Sequence, residues 1–571
     1  MMITTRFKTL TGRCAALVCL IVIAATVSPL SSFAESSEEK AAISKATKKS
    51  QGRIKAKESE ASKQGLSVTE HSVLIDGKPV KYTATTGYML LKDFEPEKKE
   101  SRDSQRTESK DAQQAAKKPE KDIHKSLAKV FFIAYTRNDN VETSTRPIAF
   151  TFNGGPGAAS IWLHMGAMGP RTATLTENGE APPPPYKLEE NQHSWLDVAD
   201  LVFIDPVSTG FSRSEPDEDP KNFYGYKADI ESVAEFIRLY LTKYKRWSSP
   251  KFLVGESYGT TRAAGLSNYL QNRYAINLNG IVLVSSVLNF ATLDFTPGND
   301  LPFVFFLPSY ASTAWYHRRL AEPLQSKTLD AVLSEAENFA SRDYLLALFK
   351  GDSLGEAEKD QISSRLAEFT GLSKEQIKRL NNRIPAETFF NHLLMQDNRR
   401  VGRFDSRYTG PRYFPGTEKY DYDPSFEAVS GPYSSTFNDY VRRELKFESE
   451  LPYEILTDVS PWPFKQANNR YLNVAEDLRK AMTRNPYLKV LVCSGYYDLA
   501  TPYYATRYTA DQMYLDPLVK SNLSHAFYPS GHMMYTLKEA RAKFKEDFAR
   551  FIEKAILPPS RAIHTASPVL R

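Results

Sequence analysis

Cysteine is scarce in this chain: three in 571 residues, at positions 14, 19 and 493. Two of them sit in an apolar N-terminal run, so the chain beyond it keeps the single thiol of Cys493. An intramolecular disulfide and a cysteine-built zinc site are both excluded there. Stability has to come from buried core, which a chain of this length can supply. Long hydrophobic runs are equally rare. After residue 27 none is long and apolar enough to span a bilayer, so no stable membrane insertion of the mature chain is expected. An excess of one charge is missing too. The 74 basic and 68 acidic residues leave a formal net charge of +6, and no dense Lys/Arg run interleaved with aromatics occurs. Nucleic acid is therefore not an expected partner. What remains is ordinary globular composition, 41% hydrophobic and 25% charged. It rules out collagen-like, coiled-coil and wholly disordered chains.

The first residues predict a secretory signal over 1–34. Arg6, Lys8 and Arg13 form a basic region with no acid before Glu35, an apolar run follows over 14–27, and Ser32-Phe33-Ala34 offers small residues for cleavage. Cutting after Ala34 removes three positive charges and leaves +3. The mature protein is then exported, to a periplasm or the extracellular space. Residues 35–125 read as an N-terminal extension, partly flexible. Within it, 66–92 predict a hairpin, with Asp76-Gly77 between two β-rich runs. The stretch 95–125 holds 9 basic and 8 acidic residues and no aromatic, which reads as a solvated charged insertion.

From Lys129 short apolar runs begin: 130–135, 147–152, 201–204, 252–254, 281–284 and 488–492. Runs of this length suit a parallel sheet covered on both faces. Between and after them, Ile230, Val233, Phe236, Ile237, Tyr240 and Leu241 recur at helical spacing, as do Ala540, Phe544, Phe548, Phe551 and Ile552. Strands alternating with helices predict an α/β fold. The strand series breaks over 301–484, where amphipathic segments lie near 328–350, 354–370 and 373–382. This stretch reads as a largely helical cap insertion between core segments 126–300 and 485–571.

Gly255-Glu256-Ser257-Tyr258-Gly259 follows the fourth run and precedes a helix-compatible stretch. Strand, G-x-S-x-G, helix is the arrangement in which a sharp turn exposes a nucleophilic hydroxyl. A serine needs a base, and the base an orienting acid. Asp498 follows the sixth run, and His532, in Ser530-Gly531-His532, precedes the final helix. The chain order is Ser257, Asp498, His532. The rival base, His525, lacks the adjacent glycine and reads as a surface-loop histidine. Asn153-Gly154-Gly155-Pro156-Gly157 follows the second run. Such a turn can offer a backbone N–H to a developing oxyanion, with a second from Tyr258. It lacks the Gly-Lys-Ser/Thr ending of a phosphate loop and the spacing of a dinucleotide site.

With Phe203-Ile204-Asp205-Pro206, Thr209-Gly210-Phe211-Ser212, Gly495-Tyr496-Tyr497-Asp498 and Gly531-His532-Met533-Met534-Tyr535, these motifs resemble the serine carboxypeptidase family, in a bacterial-type member, on the α/β-hydrolase fold. The resemblance covers about residues 126–300 and 485–571. It implies a mostly parallel central sheet, Ser257 as nucleophile, His532 as base then acid, and Asp498 as orienter. It implies Gly155 and Tyr258 as oxyanion donors, Asn153, Gly154 and Glu256 as substrate-binding residues, and neither metal nor organic cofactor. In that family an Asn and two carboxyls recognise the peptide's terminal carboxylate. Asn153 and Glu256 match two of these positions, but the second carboxyl falls at Ala167, the family's Trp at Thr151 and its Cys at Ala158. Arg171 stands in the sequence where it could supply a compensating cation.

The leading expectation is an exported serine carboxypeptidase that acts on peptides through an acyl-enzyme. Ala167 keeps open an esterase or acyltransferase on the same fold. A catalytically silent hydrolase fold used as a binding module is the third reading, disfavoured by the complete Ser–Asp–His set.

Overall fold

The computed structural model describes residues 65–92, 125–138, 142, 145–415 and 421–557. The expected signal and all but the last residue of the charged stretch 95–125 lie outside them. A central sheet runs in the order β1-β2-β3-β5-β4-β6-β7-β8-β9. Its strands are β1 (Ser67–Ile75), β2 (Lys78–Lys92), β3 (Ser126–Arg137), β4 (Ile148–Phe152), β5 (Asp200–Ile204), β6 (Lys251–Glu256), β7 (Gly280–Val284), β8 (Lys489–Gly495) and β9 (Leu523–Tyr528). A two-residue strand, Arg213–Ser214, pairs with β3 off this path.

The first three strands are antiparallel, and β3 pairs antiparallel with β5. From β5 across β4, β6, β7 and β8 to β9 every pairing is parallel. Asp76 and Gly77, at φ 48° and 74°, close the β1–β2 hairpin. A turn with two left-handed residues matches strand twist. The hairpin is the antiparallel edge of the main sheet. Strands β4, β5 and β7 are buried at every residue, because helices cover both faces. One face packs against α1 (Tyr226–Lys243), α2 (Tyr258–Tyr274) and the helix Ala475–Arg484. The other packs against α4 (Pro424–Arg443) and the C-terminal α5 (Lys538–Ile556). The molecule therefore has the α/β-hydrolase fold.

Residues 301–401 build a separate hydrophobic core around α3 (Leu301–Tyr316). α3 is apolar nearly all round and buried at thirteen positions, so it has no amphipathic period to betray it in the sequence. The later helices α4 and Ala475–Arg484 return to the main sheet. β9 was also not legible: its residues Leu523–Tyr528 are mostly half-exposed on the sheet edge. His525 stands on this strand, paired in register with Val492, and not on a surface loop as its sequence suggests.

Candidate active site

Four turns meet at one edge of the sheet, each at the C-terminal end of a parallel strand. Asn153 follows β4, Ser257 follows β6, Asp498 comes after β8 and His532 after β9. In an open α/β sheet this is the edge where ligands bind.

Ser257 joins β6 to α2 with φ 59° and ψ −128°. A non-glycine residue held there is strained, and the strain lifts the hydroxyl out of the turn. The glycines on either side permit it: a Cβ on Gly255 would collide with the carbonyl oxygen of Gly259. A Cβ on Gly154 would in turn strike the backbone nitrogen of Tyr258. The Gly-rich turn thus lies directly on the elbow. The Tyr258 N–H opens α2 and has no intrahelical acceptor. Gly155 follows at φ 98°. The turn is fixed from below by Arg262, which donates to the carbonyl of Asn153 at 2.6 Å while paired with buried Asp229 at 2.8 Å.

His532 and Asp498 are buried side by side, Nδ1 to Oδ2 2.8 Å. The carboxylate is held from every direction. Its Oδ1 accepts the N–H groups of Ala500 and Thr501 at 2.8 and 2.9 Å, and its Oδ2 the Thr501 hydroxyl at 2.7 Å. Burial pulls the His532 imidazole down, but the charge and hydrogen bond of Asp498 outweigh it, and the net shift is upward. Its Nε2 is buried and makes no hydrogen bond. Ser257 and His532 both line a cleft of about 100 Å³, together with Asn153, Gly154, Gly155 and Glu256. Trp162, Phe404 and Phe426 form its apolar wall.

Glu256 is buried beside the serine and accepts a hydrogen bond from Tyr535 at 2.7 Å. Burial pushes its carboxyl up to about 7, against the pull of His532, the Tyr535 hydroxyl and the Asn153 side chain. Ala167, at the position counted for a second carboxyl, is fully buried. The adjoining space is filled by two tyrosines. A Cβ on Gly166 would stand 2.5 Å from the Tyr535 ring and 2.7 Å from the Tyr433 hydroxyl. The absence of a side chain at 166 is thus coupled to Tyr535, which caps Glu256. Arg171 does not reach the cleft. It pairs with Glu444 at 3.0 Å and Glu190 at 3.6 Å, which corrects the compensating role its sequence position suggests.

One segment of this site had no motif to find it. Residues 403–407 join the loops of Asp498 and His532. The His532 N–H donates to the Phe404 carbonyl at 2.6 Å, and the Leu499 N–H to the Arg403 carbonyl at 3.1 Å. Asp405 Oδ2 accepts from the Gly531 N–H at 3.0 Å and pairs with Arg407 at 2.5 Å. Arg407 also donates to Ser530 Oγ at 3.1 Å. Asp405→Ala leaves Arg407 nearly buried and without its counter-charge, so stability should fall by about 3–5 kcal/mol. With the His532 loop freed, kcat should fall more than KM rises. Urea denaturation and steady-state kinetics check both, and a variant as stable and active as the parent would show that the clamp contributes nothing.

The sheet topology and the strand–turn–helix elbow define an α/β-hydrolase. The chain belongs to the serine carboxypeptidase family, whose profile matches residues 121–541. Serine carboxypeptidase-like 45 of Arabidopsis thaliana is 27% identical over 230 residues, 36% of this chain and 47% of that protein. Serine carboxypeptidase S10 family member 1 of Dictyostelium discoideum is 27% identical over 175 residues, 28% of this chain and 37% of that protein. The match thus spans less than half the length of these curated relatives. Among solved structures, Kex1(delta)p, a prohormone-processing carboxypeptidase from Saccharomyces cerevisiae, aligns with a TM-score of 0.51 at 15% identity, over 82% of this chain and 91% of that one. That likeness is one of fold. Among the described residues no helix is long and apolar enough to cross a membrane.

Proposed function

We propose that the protein is an exported serine carboxypeptidase that removes C-terminal residues from peptides. The observation that carries this reading is one cleft lined by Ser257, by the His532 held on Asp498, and by a buried Glu256 next to the serine. In the first step the Ser257 hydroxyl attacks the scissile carbonyl and His532 Nε2 takes its proton. Asp498 holds the imidazole in the tautomer with Nε2 free and stabilises the imidazolium. The N–H groups of Gly155 and Tyr258 receive the oxyanion. His532 returns the proton to the leaving amine, and a water molecule, deprotonated by the same imidazole, releases the acyl group. Asn153, with the Gly154 backbone beside it, and Glu256 bind the substrate's terminal carboxylate. Export is supported by the basic and apolar residues of 1–34, and its destination is a periplasm or the extracellular space.

Glu256 can donate to a carboxylate only while protonated; ionised, it repels one. Its proton is lost near pH 7. The kcat/KM for a free-acid peptide, divided by that for the matching C-terminal amide, should therefore fall as pH rises through about 7 and settle at a lower level. Parallel pH profiles for the two substrates would remove Glu256 from carboxylate binding.

The second reading, an esterase or acyltransferase, is favoured by Ala167 and by the tyrosines beside it. The deciding experiment offers the mature protein an N-blocked dipeptide, its amide and an activated ester, at acid and neutral pH. Preference for the free acid establishes the carboxypeptidase. Ester turnover without peptide cleavage moves the assignment to the second reading.

A further inference from the structure

The cleft contains a positive charge that no motif predicts. Of its lining residues Arg403 alone is a permanent cation, against the buried carboxyl of Glu256. Its backbone is fixed on both sides: its N–H donates to Asp423 Oδ1 at 3.1 Å, and its carbonyl accepts from Leu499 at 3.1 Å. The next residue holds the His532 N–H. The Arg403 Cα is therefore placed as firmly as the His532 loop itself.

Its side chain is treated differently from its neighbours'. Arg262 is paired with Asp229, Arg407 with Asp405, Arg400 with Asp421, and Arg171 with Glu444. Among the described residues the Arg403 guanidinium has neither an ion pair nor a hydrogen bond. It lies over the ring of Phe404 at 5.1 Å, exposed to solvent at the cleft. Stacked on an aromatic face, a guanidinium keeps its five N–H donors for another partner. Its charge also bears on His532, opposing protonation of the imidazole. An unpaired fork of donors on a cleft that Ser257 and His532 also line is suited to a planar anion, and a carboxylate accepts it with two parallel bonds.

We propose that Arg403 is a specificity-determining residue of the cleft, and that it binds the terminal carboxylate of a peptide substrate. This rests on the carboxypeptidase reading above and supplies what Ala167 cannot. A proton shared between two carboxyls is replaced by a fixed positive charge and a single protonated Glu256. A guanidinium stays charged at every working pH. Affinity for free-acid peptides then survives above pH 7 at a reduced level, where a site of two carboxyls loses it.

The test measures kcat/KM for three N-blocked peptides in the parent, Arg403→Gln and Arg403→Lys. One peptide ends in a free acid, one is its C-terminal amide, and one is an amide carrying Asp beside the scissile bond. The acid-over-amide ratio should fall roughly 10- to 100-fold in Arg403→Gln, mainly through KM, and recover in part in Arg403→Lys. An unchanged ratio overturns the proposal. So does a loss of kcat/KM confined to the Asp-bearing amide, which would place a side-chain carboxylate at Arg403. If the parent hydrolyses only esters, the carboxypeptidase reading itself has failed. The same variants are then compared on a neutral ester and one carrying a carboxylate. Loss of a preference for the anionic ester upholds an anion site at Arg403, and no such preference in the parent overturns it.

Discussion

Replacing Ser257 by alanine is expected to lower kcat by about 10⁵- to 10⁶-fold on every substrate the protein turns over, with KM little changed. The size of the loss follows from the geometry around the elbow. The serine sits at φ 59° on a turn whose flanking glycines, Gly255 and Gly259, have no room for a Cβ. His532 offers one nitrogen without a hydrogen bond, Nε2, and its side chain belongs to the same cleft as Ser257. Without Ser257 it can activate only water. What survives is the contribution of the N–H donors and of binding, about 10³-fold over the uncatalysed rate. The fold should be unaffected, because alanine fits wherever serine fits and the strained φ is unchanged. The assay is hydrolysis of peptide and ester substrates together with labelling by a serine-directed phosphonate. The parent should label and the variant should not. A parent that fails to label would favour the silent binding module, and a variant that keeps its activity would place the nucleophile elsewhere.

The fold class was legible because parallel strands buried on both faces are written as unbroken apolar runs. The runs at 147–152, 201–204 and 281–284 coincide with strands buried at every residue. The edge strand β9 was not, because half its residues face solvent and no run forms. Helix α3 was hidden for the opposite reason, being buried all round. The turn residues were legible because tight turns need glycine, and Gly154, Gly255 and Gly259 have no room for a side chain. Tyr535 was visible only as part of a motif. Its partnership with Glu256 depends on space at Gly166, more than 350 residues earlier, and single-sequence reading carries no such long-range coupling. Arg403 and Asp405 lie in the loop of a small hairpin, between Arg399–Val401 and Thr409–Pro411, and no spacing rule ties that loop to Asp498 or His532. Their importance comes from which loops they touch. The same blindness explains Arg171: nearness in sequence to a Gly-Pro turn does not say that Glu444 will take its charge.

Asp498→Asn should lower kcat by about 10³- to 10⁴-fold, and the reason is the number of donors around the carboxylate. Oδ1 accepts two backbone N–H groups, from Ala500 and Thr501, and Oδ2 accepts from the Thr501 hydroxyl and faces His532 Nδ1. An asparagine has one acceptor and one donor end. Placing its NH₂ at the Oδ1 position sets donor against two fixed donors in a buried site, which costs several kcal/mol. The amide therefore turns the other way and presents its NH₂ to His532 Nδ1. The hydroxyl of Thr501 can rotate to accept, but the imidazole must move its proton to Nε2 to do so. The nitrogen facing the cleft then carries a hydrogen and cannot act as base. A second effect runs in the pH profile. The Asp498 charge is what raises His532 above its ordinary value against burial. Catalysis needs the neutral imidazole, so activity on an amide-capped substrate rises as pH passes the His532 value. With the charge gone, burial, the largest influence, lowers that value with the help of Arg403 and against Glu256, and the ascending limb moves to lower pH. Tautomer and charge thus separate in one variant, the first read in kcat and the second in the position of the limb. A limb that stays in place with kcat reduced less than about tenfold would mean that another acid orients His532.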